Sequence, residues 1–352
     1  MIVTQSLAGT YFSSCIPDLK FSITSARALV VITVDDQQQV YSELLYPLQG
    51  NIAVEDIESL ISVLSLQRLV IDLKIKVTEQ VLNADETYHD ADITEFACKI
   101  IYSAADIMDI SASDFCNTHF LTILEREKVT ALGRLEYLHY LGTDIAKIVA
   151  EYSDLTSQDF TAVAVQGNSK YTTIDISPSR FVVNGKELIG YNVIAGGREM
   201  EYRIDFDSPD AAPILMFTNS FGCQELIYCS GTHQVAPEYT RDSAYINRLN
   251  RNYKITEKRV FKADTGILST EMAAWADELF RSPEVYVVNI INEEPVVGKM
   301  ITITESKSEN SNDDDATPRF TFSYTYSQYN HNVLMTKRAG RIFDNTFDNT
   351  FA

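Results

Sequence analysis

Basic side chains are scarce in this 352-residue chain, with 29 Lys and Arg against 49 Asp and Glu and a formal net charge of −20. A chain so negative repels phosphate backbones and anionic lipid surfaces, both of which are bound through clustered Lys and Arg. The nearest approach to a cluster is Arg248, Arg251 and Lys254, followed by Lys258 and Arg259. Nucleic acid is therefore not expected as a partner, and the acidic excess reads as a solubility device. Cysteine is sparse as well. Cys15, Cys98, Cys116, Cys223 and Cys229 form no CxxC pair, an odd count that argues against a disulfide framework and for a reducing compartment. Cys223 and Cys229 read as one face of a single strand, roughly 20 Å apart and beyond bridging distance. No run of 18 apolar residues occurs, so helical membrane insertion is not expected. Met1 to Ser14 holds no Lys or Arg, so the basic start of a secretory signal is missing. The same lack, with no long apolar run, argues against reading Phe12-Ser13-Ser14-Cys15 as a lipoprotein box.

Catalytic signatures are missing too. There is no GxGxxG, no Walker loop, no HExxH and no GxSxG. The five histidines (His89, His119, His139, His233 and His331) are far apart. His89, within Glu86 to Asp92, reads as part of a solvated acidic loop rather than a metal site. Asp313, Asp314 and Asp315 with Asn310 and Asn312 lack the central Gly and terminal Glu of an EF-hand loop, so they read as a charged hairpin tip. Cys116 and His119 fall on one helical face beside Asp114, but a nucleophile and its base normally come from separate elements. With 49 acids present, any carboxylate pair would be chosen after the fact. The sequence therefore predicts no catalytic, cofactor-binding or metal-binding residue and no cofactor.

What remains is a strand former. Apolar residues make up 45% and charged residues 22%, and 19 Tyr and 17 Phe accompany a single Trp. Tyr and Phe suit pleated, half-buried surfaces. The expected fold class is mainly β (α+β), multi-domain, with antiparallel β-sandwich-like sheets and a few short amphipathic helices. Ala28 to Leu48 predicts a hairpin around Asp35 to Gln39, and Val54, Ile57, Leu60, Ile61 and Leu64 predict an amphipathic helix packed on it. Ile71, Leu73, Ile75 and Val77 alternate with Asp72, Lys74 and Lys76, the pattern of a strand buried on one face. Thr94 to Tyr102 predicts another strand. Ser111 to Leu124 predicts a short helix entering a strand, and Leu135 to Tyr140 with Lys147 to Tyr152 a strand pair around Gly142.

From Phe160 to Glu238 seven strands are expected: 161–165, 171–176, 181–183, 188–194, 201–206, 214–217 and 225–229, with a tight hairpin at Asn184-Gly185. Ser269 is placed to cap a helix over Glu271 to Phe280, ended before Pro283. Val285 to Ile291 predicts a strand, and Val296 to Thr304 with Arg319 to Ser327 a hairpin. In its second arm Phe320, Phe322, Tyr324 and Tyr326 share one face and Thr321, Ser323, Thr325 and Ser327 the other. Glu305 to Thr317 reads as a mobile tip. Three regions follow: an N-terminal α+β domain over 1–155, a β-sandwich-rich domain over 156–340 with one helix near 270–280 and a C-terminal hairpin, and an aromatic arm over 341–352. In that arm Phe343-Asp344-Asn345-Thr346 repeats as Phe347-Asp348-Asn349-Thr350 before Phe351. Phe343, Phe347 and Phe351 are the candidate interface residues, because aromatics left in water favour docking on a neighbour.

Ile214 to Gly222 followed by Gln224 to Gly231, and Tyr253 to Glu257 leading through Lys262 to Leu268 to Leu279 to Tyr286, resemble tail or baseplate structural proteins of tailed bacteriophages and prophages of gut anaerobes. The resemblance spans roughly residues 160 to 352 and is one of strand and turn texture. It implies repeated copies in a homo-oligomeric ring, other virion proteins as partners, location in the virion after synthesis in the host cytoplasm, and no enzymatic activity. It carries no functional residue across. A carbohydrate- or cell-surface-binding β-sandwich module, with a host-surface glycan as ligand, is the alternative reading. A hydrolase with scattered acids is the third.

Overall fold

The computed structural model describes residues 1–105, 110–165, 171–206, 213–291, 294–307 and 317–328. The chain divides into two compact units, one formed by 1–119 with the short stretches 168–171 and 220–222, the other by the remainder from Phe120. The division expected near residue 155 falls inside the second unit, where the strands flanking it pair with each other as neighbours.

In the first unit, β1 (Ile2–Gln5), β3 (Leu19–Ser22) and β6 (Asn51–Val54) form a three-stranded sheet in the order β1-β3-β6. A five-stranded sheet runs β2 (Gly9–Phe12), β8 (Tyr88–Ile101), β7 (Val70–Leu82), β4 (Arg27–Val34) and β5 (Gln38–Leu45). Its pairings are antiparallel except β2 with β8. The hairpin expected from Ala28 is β4–β5, turned at Asp35 and Asp36, whose φ angles of 52° and 56° suit a tight two-residue turn. Ile71, Leu73, Ile75 and Val77 of β7 are at most 1% exposed, as their alternation required. The amphipathic helix α1 (Ile57–Arg68) starts later and runs longer than expected. Asp56 sits before it at φ 53°, a left-handed conformation that ends the extended segment there. Ile57 and Ile61 face a core shared with Val30, Ile32 and Ile75. After α2 (Ala112–Thr118) the chain does not enter a strand. Phe120, Leu121 and Leu124 are buried in irregular backbone instead, with the amide of Leu121 donating to His139 O at 2.8 Å.

The second unit holds three sheets. One runs β12 (Ser157–Thr161), β11 (Lys147–Tyr152), β15 (Leu188–Ala195), β16 (Arg198–Ile204) and β9 (Glu127–Thr130). A small one runs β10 (Tyr137–Tyr140), β14 (Thr172–Asp175) and β13 (Val163–Val165). The largest has seven strands, β18 (Gln224–Tyr228), β17 (Ile214–Thr218), β21 (Val285–Ile291), β22 (Glu294–Lys307), β23 (Thr321–Tyr326), β20 (Leu249–Asp264) and β19 (Gln234–Ile246). They close around Tyr152, Tyr191, Tyr202, Phe217, Trp275 and Phe320, each at most 2% exposed.

β10 and β11 are not a hairpin, because they join different sheets. Buried Arg198 pins the loop between them, donating to Asp144 Oδ2 at 2.9 Å and to Leu141 O at 2.5 Å. Asn184-Gly185 turns the chain at Gly185 (φ 81°) but joins no strand pair, since the segment before it is a 3-10 turn, Pro178–Phe181. Proline at its first position favours that turn over a strand. Ser323 and Thr325 of β23 are buried along with Phe322 and Tyr324, so that strand is covered on both faces. The helix expected over 271–280 is two pieces, α3 (Thr270–Ala276) and α4 (Glu278–Arg281). Ser269 caps α3 as expected, its Oγ accepting from Met272 N at 3.2 Å. Ser269→Ala should cost about 1 kcal/mol, measured as a lowered urea midpoint.

Candidate interaction surface

A group of ionisable side chains lies in the interior of the second unit. Lys128 Nζ donates to Glu136 Oε2 at 2.7 Å and to Leu226 O at 3.3 Å, and lies 4.4 Å from the centroid of the Trp275 ring. Glu136 also accepts from Thr130 Oγ1 at 2.8 Å. Glu225 accepts from Asn219 Nδ2 at 2.6 Å and from the Trp275 indole N–H. Burial pushes the Glu225 carboxyl up from its ordinary range, against the pull of the Lys128 ammonium. Close by, His139 contacts Thr173 Oγ1 at 2.9 Å and Gln224 O at 2.8 Å, and burial lowers its pKa to about 4. Lys128, Glu136, Glu225, His139 and Trp275 are between 1% and 7% exposed, so a substrate would have to displace core packing to meet them. Their chemistry is that of a buried charge network whose members are hydrogen-bonded to one another.

The other sequence candidates are dispersed. His119 stacks on Phe115 with ring centroids 4.7 Å apart and meets its neighbour Thr118, while Cys116 is buried in the same short helix. No disulfide joins any of the five cysteines, and Cys223 and Cys229 flank β18 rather than lie within it. Burial pushes the Cys98 thiol up to about 11 and the Cys229 thiol up to about 12, which suppresses the nucleophilic thiolate. Cys98 lies under an open groove lined also by Asp36, Asp72, Lys74 and Lys99, where Lys74 pairs with Asp36 at 2.7 Å. His89 is exposed on β8 opposite Val81. Among the described residues, no three His, Cys, Asp or Glu side chains gather as metal ligands. Asn310, Asn312 and Asp313 to Asp315, most of the expected mobile tip, and the candidate interface residues Phe343, Phe347 and Phe351 lie outside the described residues.

The surface feature that sequence reading missed is the hairpin β19–β20. Its strands pair in register from Gln234↔Lys262 to Ile246↔Leu249, with one bulge between Asp242 and Ser243. Asn247 and Arg248 make the turn at φ 54° and 64°. Asn tolerates that conformation, whereas Arg adopts it at some strain. At the base Phe261 is 3% exposed and stacks 5.0 Å from Tyr324. β23 meets β20 only over Phe261–Asp264, and β19 is the last strand of the sheet, a position where Pro237 is tolerated. Beyond the base the ribbon leaves its sheet. Leu249 to Thr256 are exposed without interruption, on both faces of the strand. Tyr245 is 80% exposed, Tyr253 65% and Leu249 55%. From Tyr239 to Ile246 the arm reaches roughly 25 Å. No family model matches the chain, and no curated protein matches it either.

Proposed function

We propose that this chain is a structural protein of a virion, a tail or baseplate component that assembles with copies of itself into a ring and packs against other virion proteins without catalysis. The observation that carries the reading is the β19–β20 arm. A two-stranded ribbon is marginally stable in water, and an edge strand invites pairing with another chain. Exposed Tyr239, Tyr245, Ile246, Leu249 and Tyr253 add apolar surface that gains free energy when covered. The strand-rich architecture, the buried character of the titratable network and the texture of residues 160 to 352 support the same reading.

Electron microscopy of the purified full-length chain is expected to show closed rings or stacked higher-order particles. Particles that stay single at high protein concentration, with no association to purified virions, would contradict it. The arm tyrosines also favour a second reading, glycan binding through exposed rings. Binding on a glycan array that Tyr245→Ala and Tyr253→Ala abolish, in a chain that does not assemble, would establish that reading instead.

A further inference from the structure

Charge identifies what the arm docks on. Between Tyr239 and Thr256 the arm carries Arg241, Arg248, Arg251 and Lys254 against the single acid Asp242. Arg241 lies over the Tyr239 ring at 5.0 Å, and Asp242 is in register with Lys254. The arm is therefore net positive by three on a chain whose total is −20, which leaves 25 basic and 48 acidic residues elsewhere. A basic, aromatic ribbon fits an acidic surface, and the surface of that kind guaranteed to be present is a second copy of this chain. The first unit offers a counterpart of opposite charge. Beyond the Arg27↔Gln80 pair with β4, the β7–β8 hairpin is also a two-stranded ribbon, and residues 81–95 hold Asp85, Glu86, Asp90, Asp92 and Glu95 with no Lys or Arg, the nearest cation being Arg27 over the Tyr88 ring at 3.5 Å. All five acids are exposed. Leu82, Tyr88 and Ile93, at 48%, 39% and 55% exposure, lie among them.

We infer that the β19–β20 arm of one copy docks on the acidic β7–β8 ribbon of the next, a head-to-tail contact that rests on the self-assembly reading and gives it direction. Opposite charges on the two ribbons steer the encounter and fix its polarity, while the tyrosines and the Ile246–Leu249 tip supply buried area. A contact between two different patches is heterologous, so it closes into a ring or runs on into a filament. It also weakens as salt rises, because the charges are exposed.

The test is a charge exchange followed by sedimentation. One variant carries Arg248→Glu, Arg251→Glu and Lys254→Glu, the other Glu86→Lys, Asp90→Lys and Asp92→Lys, and circular dichroism melting verifies that both fold. Each alone is expected to self-associate about 100-fold or more weakly than the parent. Mixed one to one, they are expected to assemble again, because the acidic arm of the first meets the basic ribbon of the second. Parent-like assembly by either variant overturns the docking while leaving the self-assembly reading intact. Failure of the mixture to reassemble overturns the pairing of these two ribbons. A parent that sediments only as a monomer overturns both the docking and the reading beneath it. If the arm variant assembles like the parent but loses affinity for a single-stranded oligonucleotide that the parent binds, the arm serves nucleic acid and the inference is wrong.

Discussion

Replacing Lys128 by Met is expected to remove about 3–5 kcal/mol of folding stability, because it takes the ammonium away from the buried Glu136 and Glu225 carboxylates. Lys128 is 6% exposed, Glu136 1% and Glu225 7%, so water cannot take over the role of the ammonium. The Met side chain replaces the aliphatic stem against Trp275 at similar volume, which assigns the loss to charge rather than to a cavity. Two companions separate the terms. Lys128→Met with Glu136→Gln should recover a large part of the loss, since one stranded charge is gone while Thr130 keeps a hydrogen-bond partner. Relative to the parent, the single variant should gain stability as pH falls. Burial already raises the Glu225 carboxyl, and losing the Lys128 ammonium favours its neutral form further. A folded pKa raised above the unfolded one gives stability that is present at low pH and lost as pH rises. Urea unfolding at two pH values reads all three, and a single variant as stable as the parent would contradict this account of the core.

Acid titration of His139 is the second large effect, with the opposite sign. Burial lowers its pKa from 6.5 to about 4. A depressed folded pKa means that the unfolded chain takes up the proton first. The stability it confers is therefore complete above pH 6.5 and lost as pH falls toward 4. By pH 5 the loss is on the order of 2 kcal/mol. His233 is shifted the same way, also to about 4, by burial beside Phe261 and Tyr324. Glu225 opposes both on acidification, so the bare pH profile mixes signs. The difference between parent and His139→Gln isolates the histidine. The variant is expected to lose less stability between pH 7.5 and 5 than the parent, and parallel curves for the two proteins would show that His139 does not carry the effect.

Sequence patterning reached those parts of the fold in which a local rule and a buried face agree. The β4–β5 hairpin, the alternation of Ile71 to Val77 and the Ser269 cap are of this kind, each written within one short stretch of chain. Pairing decided at a distance was not legible. β10 and β11 look like a hairpin around Gly142 until Arg198, more than fifty residues on, ties down their loop. The Lys128, Glu136 and Glu225 network joins positions nearly a hundred residues apart, and nothing in any one segment marks it. The arm was invisible for a different reason. A ribbon exposed on both faces buries neither set of side chains, so it shows no period of two. The signal present was compositional: Arg248, Arg251 and Lys254 interleaved with Tyr253 and Ile255 in an acidic chain. The cluster is weak by the standard of nucleic-acid binding, whereas its contrast with the rest of the chain is the informative quantity.

Hydrogen–deuterium exchange of the arm amides as a function of protein concentration reads whether neighbours cover the arm. Amides of Tyr239 to Thr256 are expected to exchange fast in dilute protein, where a lone ribbon frays, and to gain protection as assembly proceeds, together with those of the β7–β8 ribbon. Arm amides that exchange equally fast in dilute and concentrated samples, while the cores of both units stay protected, would contradict a protein that works through the surfaces it offers to its neighbours.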